Sequence, residues 1–137
     1  MLAGGLIDGV ALRAMRLLGC DLGYSGTRMI AAKRSLANQR YRSMVAVSTM
    51  DDIVLTRALT GLDTNMLGPS IREAGLDLAN LPPAPTAEQA RLVYSDMTPG
   101  PRRWKDILSA GHSVSGVGEP SSVAEVVDQI AREYRSA

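Results

Sequence analysis

Over the first thirty positions the apolar residues follow two rhythms, separated by glycine turns. Met1 to Ala3 read as the end of a buried strand. Asp8 is placed to cap a helix from Gly9 or Val10 to Leu18, with Gly19 as its stop. On that helix Val10, Ala14, Leu17 and Leu18 share one face, and Arg13 and Arg16 the other. Cys20 to Tyr24 then read as a second strand. Strand, glycine turn, helix, strand is a βαβ crossover, which makes the two strands parallel.

The remainder of the chain is mostly helical in pattern. Ser35 is a candidate cap for a helix through about Val45, carrying Leu36, Tyr41, Met44 and Val45. Ile53 to Thr60 fits either a strand or a helical turn, with the balance toward strand. Pro69-Ser70 opens a short helix that Gly75 ends, and Leu81 to Pro85 form a stiff linker. Thr86 with Gln89 makes a capping box for a helix to about Tyr94. Thr98 to Pro101 read as a loop, and Trp104 to Ile107 lead into a turn region from Ser109 to Gly118. The last helix is the clearest. Ser122 and Glu125 form its capping box, and Val123, Val126, Val127, Ile130 and Tyr134 repeat at helical spacing.

The two early turns carry the candidate chemistry. Gly4-Gly5 follows the first strand, and Ser25-Gly26-Thr27 follows the second. Without a Cβ the backbone can approach an oxyanion and offer it N–H groups, though one such turn alone is ordinary βα punctuation. Two donor-rich turns at the carboxyl ends of adjacent parallel strands are different. They can share a phosphate, as the loops after the last two strands of a (β/α)8 barrel do. Such a barrel needs roughly 250 residues, whereas this chain has 137. The expected fold is therefore α/β: the last two strands of a barrel in residues 1–48, and a mainly helical carboxyl-terminal appendage in residues 49–137. Neither Gly4-Gly5 nor Gly116-Val117-Gly118 is a dinucleotide fingerprint, for want of a third glycine or of a preceding strand.

Composition narrows the partners. Fifteen basic and 14 acidic side chains leave a net charge of +1, which provides no field toward nucleic acid or anionic lipid. Arg102-Arg103-Trp104-Lys105 reads as a solvated basic turn, since one aromatic is too few for a stacking platform. No apolar run approaches the ~20 residues of a spanning helix. One cysteine, Cys20, and no basic-then-apolar leader fit a cytoplasmic protein. Cys20 reads as a small strand residue rather than a nucleophile, because no histidine lies near it in sequence. No metal-ligand spacing is present, so no metal site is expected.

Ala3-Gly4-Gly5-Leu6-Ile7-Asp8-Gly9, Leu18-Gly19-Cys20-Asp21 and Gly26-Thr27-Arg28-Met29 together resemble the nitronate monooxygenase (2-nitropropane dioxygenase) family of FMN-dependent barrels. Val54 to Gly61 and Trp104 to Gly111 resemble two later segments of that family, so the likeness runs in order over nearly the whole chain. The resemblance implies FMN as cofactor, with Gly4, Gly5, Ser25, Gly26 and Thr27 at its phosphate. It implies oxidation of an alkyl nitronate to a carbonyl compound and nitrite, with dioxygen reoxidising the flavin. It also implies that the catalytic histidine lies upstream of this chain, so no catalytic residue is assigned within it and turnover by the chain alone is not expected.

Several positions depart from the family pattern. Ser25 stands where Gln or Met is commoner, Arg34-Ser35 where Glu-Ser is usual, and His112 where Gln is usual. His112, the sole histidine, reads as a polar loop residue rather than a base. Two other functions remain open on the sequence. One is a flavin-type enoyl-acyl-carrier reductase, which shares the glycine turns. The other is a non-catalytic half-barrel that associates with itself or a companion chain through exposed edges.

Overall fold

The computed structural model describes residues 1–93 and 105–137. The expected loop at Thr98 to Pro101, the Arg102-Arg103-Trp104 positions and the Tyr94 helix end lie outside the described residues. The chain divides into two compact units, residues 1–50 with 111–137, and residues 51–110.

In the first unit β1 (Leu2–Ala3) and β2 (Gly23–Tyr24) pair in parallel, Leu2 opposite Gly23 and Ala3 opposite Tyr24. The crossover helix α1 spans Gly9–Leu17 and is capped by Asp8, whose carboxylate accepts from the Ala11 N–H at 2.8 Å. Gly19 (φ +83°) ends it in a Schellman turn. There the Gly19 N–H donates to Arg16 O at 3.0 Å and the Cys20 N–H to Met15 O at 3.2 Å. This shortens the strand expected from residue 20. The Cys20 N–H belongs to the helix end, and the ladder starts only at Gly23.

The buried stripe of α1 is also not the one its periodicity picks out. Gly9 and Met15 are buried, whereas Val10, Ala14, Leu17 and Leu18 are exposed. The partner of α1 is α6 (Val123–Ser136), and it approaches at Gly9. A Cβ on Gly9 would collide with the Ile130 carbonyl and the Tyr134 amide, and would lie 2.7 Å from Glu133 Cβ. The Gly9 N–H donates to Glu133 Oε2 at 2.9 Å, and the Arg13 guanidinium lies 5.5 Å from the centre of the Tyr134 ring. Helix α6 has the expected capping box: Ser122 Oγ accepts from the Glu125 N–H at 3.2 Å, and Glu125 Oε2 from the Ser122 N–H at 2.6 Å. Of its apolar stripe Val126 is buried, while Val123 and Val127 are exposed.

After β2 come α2 (Thr27–Ile30) and α3 (Gln39–Val47). Ser35 does not cap α3. Its hydroxyl donates to Ile30 O at 2.7 Å and closes the turn after α2, and Asn38 caps α3 by accepting from the Tyr41 N–H at 2.8 Å. Leu36 is thereby left outside the helix and fully exposed, while Met44 and Val45 are buried.

The second unit contains an antiparallel hairpin, β3 (Ile53–Thr56) with β4 (Thr64–Leu67), followed by α4 (Gly68–Glu73) and α5 (Ala87–Val93). The strand reading of residues 53–60 holds for its first half. Residues 107–109 lie beside β4, with Ser109 bridged to Met66 and the Leu67 N–H donating to Leu108 O at 2.8 Å. Ser70, wholly buried, ties the three pieces together. Its hydroxyl accepts from the Leu108 N–H at 2.9 Å and donates to Leu67 O at 2.7 Å. Leu59, Met66, Ile71 and Ile107 form the core of this unit, and Gly75 (φ +80°) stops α4 as expected.

Candidate functional site

The parallel register puts the two glycine turns side by side. Ala3 is paired with Tyr24, so Gly4 and Ser25 are the next positions beyond the ladder, then Gly5 and Gly26. Neighbouring strands lie roughly 4.8 Å apart, so the two turns leave the ladder about that far from each other. Gly4 and Gly5 hold φ values of +87° and +73°, a left-handed stretch that disfavours side chains. A Cβ at either would meet nothing within 4 Å, so the turn faces open space.

The second turn supplies different groups. Gly26 precedes α2 without a capping side chain, and a Cβ there would touch only Tyr24 Cε1, at 3.7 Å. The first N–H groups of such a helix have no acceptor within it. Ser25 Oγ is buried and has no hydrogen-bond partner among the described residues. Leaving a buried hydroxyl unpaired costs about 1–3 kcal/mol, so the position favours whatever supplies a partner. Thr27 is buried too, but its Oγ1 already accepts from the Gly111 N–H at 2.9 Å. What Thr27 leaves for a ligand is its own N–H and the hydroxyl proton.

A short 3-10 turn, residues 112–116, supports both turns from the same unit. Gly111 lies so close to Thr27 that a Cβ would fall 2.9 Å from Thr27 Oγ1, and one on Gly116 would fall 2.8 Å from Ile7 Cγ1. His112 opens this 3-10 turn and is exposed. Behind the turns, Arg28 Nη1 donates to Ile7 O at 3.1 Å and Nη2 donates to Gln129 Oε1 at 2.7 Å. Glu133 is held below the usual carboxylate range, first by the Gly9 N–H and then by the Gln129 amide, with Arg28 and Arg132 adding to it against a small opposing effect of burial. In the sequence Arg28 stands within the Gly26-Thr27-Arg28-Met29 resemblance without a role of its own, and Gln129 and Glu133 carry no signal. The i, i+4 spacing of the last two on an exposed helix face is too common to mark a site.

Among the described residues no cluster of His, Cys, Asp and Glu could hold a metal ion, and no helix is long and apolar enough to cross a membrane.

No protein-family model matches the sequence, and no curated protein matches it. Solved structures do. FabK from Thermotoga maritima is 23% identical, with a TM-score of 0.67, over 98% of this chain and 43% of its own. Nitroalkane oxidase from Streptomyces ansochromogenes is 24% identical, with a TM-score of 0.71, over 98% of this chain and 39% of its own. The chain thus spans about two-fifths of the length of the proteins it resembles. It has the α/β fold of the carboxyl-terminal part of these TIM-barrel proteins.

Proposed function

We propose that this chain is the phosphate-gripping end of an FMN-dependent barrel oxidoreductase that oxidises alkyl nitronates. The observation that carries the reading is the pairing of an open left-handed Gly4-Gly5 turn with a buried, unpartnered Ser25 hydroxyl at the ends of two hydrogen-bonded parallel strands. Gly4, Gly5, Gly26 and Thr27 offer backbone N–H groups to a phosphate, and Ser25 offers its hydroxyl. Thr27 also accepts from the residue 111 N–H, tying the second turn to that position. Likeness to an enzyme named for nitroalkane oxidation supports the substrate class.

Held by Gly4, Gly5, Ser25, Gly26 and Thr27, FMN would supply the redox chemistry for oxidising a nitronate with dioxygen to a carbonyl compound and nitrite. The chain's own part is binding and orientation. By fixing the phosphate these residues would orient the cofactor, and small misplacements of a bound reactant are costly in rate. In this reading, as the family resemblance implies, the catalytic histidine lies upstream of these residues.

The likeness to FabK favours a second reading, a flavin-type enoyl-acyl-carrier reductase, in which the two turns do the same work. A third is a non-catalytic half-barrel. It draws on the exposure of both β1 and β2, since parallel strands are normally buried on both faces. Flavin fluorescence titration with FMN and with riboflavin tests the common element. The proposal expects FMN to bind more tightly than riboflavin, and Ser25→Ala to narrow the difference. Equal affinity for the two would overturn it. Turnover of propionate 3-nitronate against an enoyl thioester, in a polypeptide carrying all eight strands, separates the first two readings.

A further inference from the structure

We infer that Arg28, Gln129 and Glu133 form a polar strap that sets the spacing of the two glycine turns, with Arg28 as the positioning residue. The strap is a closed circuit of hydrogen bonds. Arg28 Nη1 donates to Ile7 O at 3.1 Å, and Arg28 Nη2 to Gln129 Oε1 at 2.7 Å. Gln129 Nε2 donates to Glu133 Oε1 at 2.7 Å, and Glu133 Oε2 accepts from the Gly9 N–H at 2.9 Å. The circuit leaves the first turn at Ile7 and returns to it at Gly9, on either side of the Asp8 that caps α1.

The chemistry of the three residues leaves a single orientation. Arginine only donates and a carboxylate only accepts, so the amide between them must turn its oxygen to Arg28 and its nitrogen to Glu133. Arg28 spans the site. Its backbone follows Thr27 in the second turn, and its guanidinium grips the carbonyl two residues beyond Gly5. A planar fork with two diverging donors can hold two acceptors at once, and an ammonium on a flexible stem cannot hold them in the same fixed geometry. The other supports each touch a single turn: residue 111 holds Thr27, and residue 116 packs on Ile7. The strap joins the two turns through side chains.

The geometry of the strap stands without a ligand; its consequence rests on the phosphate reading above. If the turns converge on one phosphate, the strap matters for FMN and not for riboflavin, which has no phosphate to be shared. A cleft of about 250 Å³ beside Arg28 leaves room for a substituted side chain to repack. The test uses Arg28→Met, Arg28→Lys and Gln129→Met in the 137-residue chain. Two readouts are taken: fluorescence titration with FMN and with riboflavin, and amide hydrogen exchange. Arg28→Met, which removes both guanidinium bonds, is expected to weaken FMN about tenfold and to leave riboflavin unchanged. Arg28→Lys and Gln129→Met are expected to fall between it and the unaltered chain. Exchange at residues 4–9 and 25–27 is expected to rise together, with residues 53–67 unaffected. Equal weakening of both flavins, or unchanged FMN binding, overturns the strap's role at the phosphate. If the unaltered chain does not prefer FMN to riboflavin, the phosphate reading fails and exchange alone decides the strap. A joint rise at both turns upholds it, and a rise confined to one turn overturns it.

Discussion

Gly9 and Ser25 show how little a residue must do to fix a site. Gly9 acts by having no side chain, because the backbone of α6 occupies the space a Cβ would need. Gly9→Ala is expected to destabilise the fold by about 1–3 kcal/mol, the usual range for overpacking, read as a lower urea midpoint at unchanged slope. Ser25 presents the opposite case, a polar group kept without a partner. Ser25→Ala should leave the ligand-free chain as stable as before or more so, since it removes an unpaired hydroxyl, and should weaken FMN binding. A loss of stability without FMN would mean that the hydroxyl already has a use in the ligand-free fold. Glu133 connects the residue scale to pH. Its folded-state value lies below the ordinary 4.5, chiefly through the Gly9 N–H and the Gln129 amide, with Arg28 and Arg132 facing it. A depressed carboxylate gives stability that is fully present above its unfolded value and is lost as pH falls through the folded one. Glu133→Gln should therefore flatten the decline in urea midpoint below about pH 4.5; an unchanged acid limb would contradict this.

At the scale of elements, what was legible in the sequence was whatever local backbone chemistry decides. Asp8, Gly19, Gly75, Thr86 with Gln89, and Ser122 with Glu125 all act where their residue types place them, because caps and stops depend only on neighbours a few positions away. Faces were less legible. Val10, Ala14, Leu17 and Leu18 form a periodic apolar stripe, yet α6 packs on the side marked by Gly9, which no hydrophobicity pattern reports. Ser35 and Asn38 competed for one helix start, and the carbonyl of Ile30 claimed the serine. β4 was missed because Thr64-Asn65-Met66-Leu67 buries two successive residues and shows no alternation. The glycines of the site were visible as turns, but their support by Arg28 and Gln129 links positions 101 apart and leaves no local trace. For α6 the expectation is direct. Ser122→Ala should cost about 0.5–2 kcal/mol, typical of a lost N-cap, seen as a fall in thermal midpoint.

At the scale of the whole molecule the first unit shows apolar surface in excess. Leu17 and Leu18 are 80% and 79% exposed, with Leu22 and Tyr24 nearby in sequence at 65% and 63%. Exposed apolar side chains in such number are candidates for an association surface. In the half-barrel reading it is covered by a second copy; in the flavoenzyme reading, by the other barrel strands. Replacing Leu17 and Leu18 with Glu should reduce concentration-dependent association in sedimentation while changing stability by less than about 0.5 kcal/mol, as expected for exposed positions. A chain that stays monomeric without these changes would count against the half-barrel.

The central claim is convergence of two strand-end turns on one phosphate, and the most direct measurement follows the amides themselves. In a nitrogen-15 NMR titration with FMN, the resonances of Gly4, Gly5, Gly26 and Thr27 should move on one common saturation curve, and riboflavin should leave them in place. Shifts in only one of the two turns, or the same shifts with riboflavin, would contradict the account.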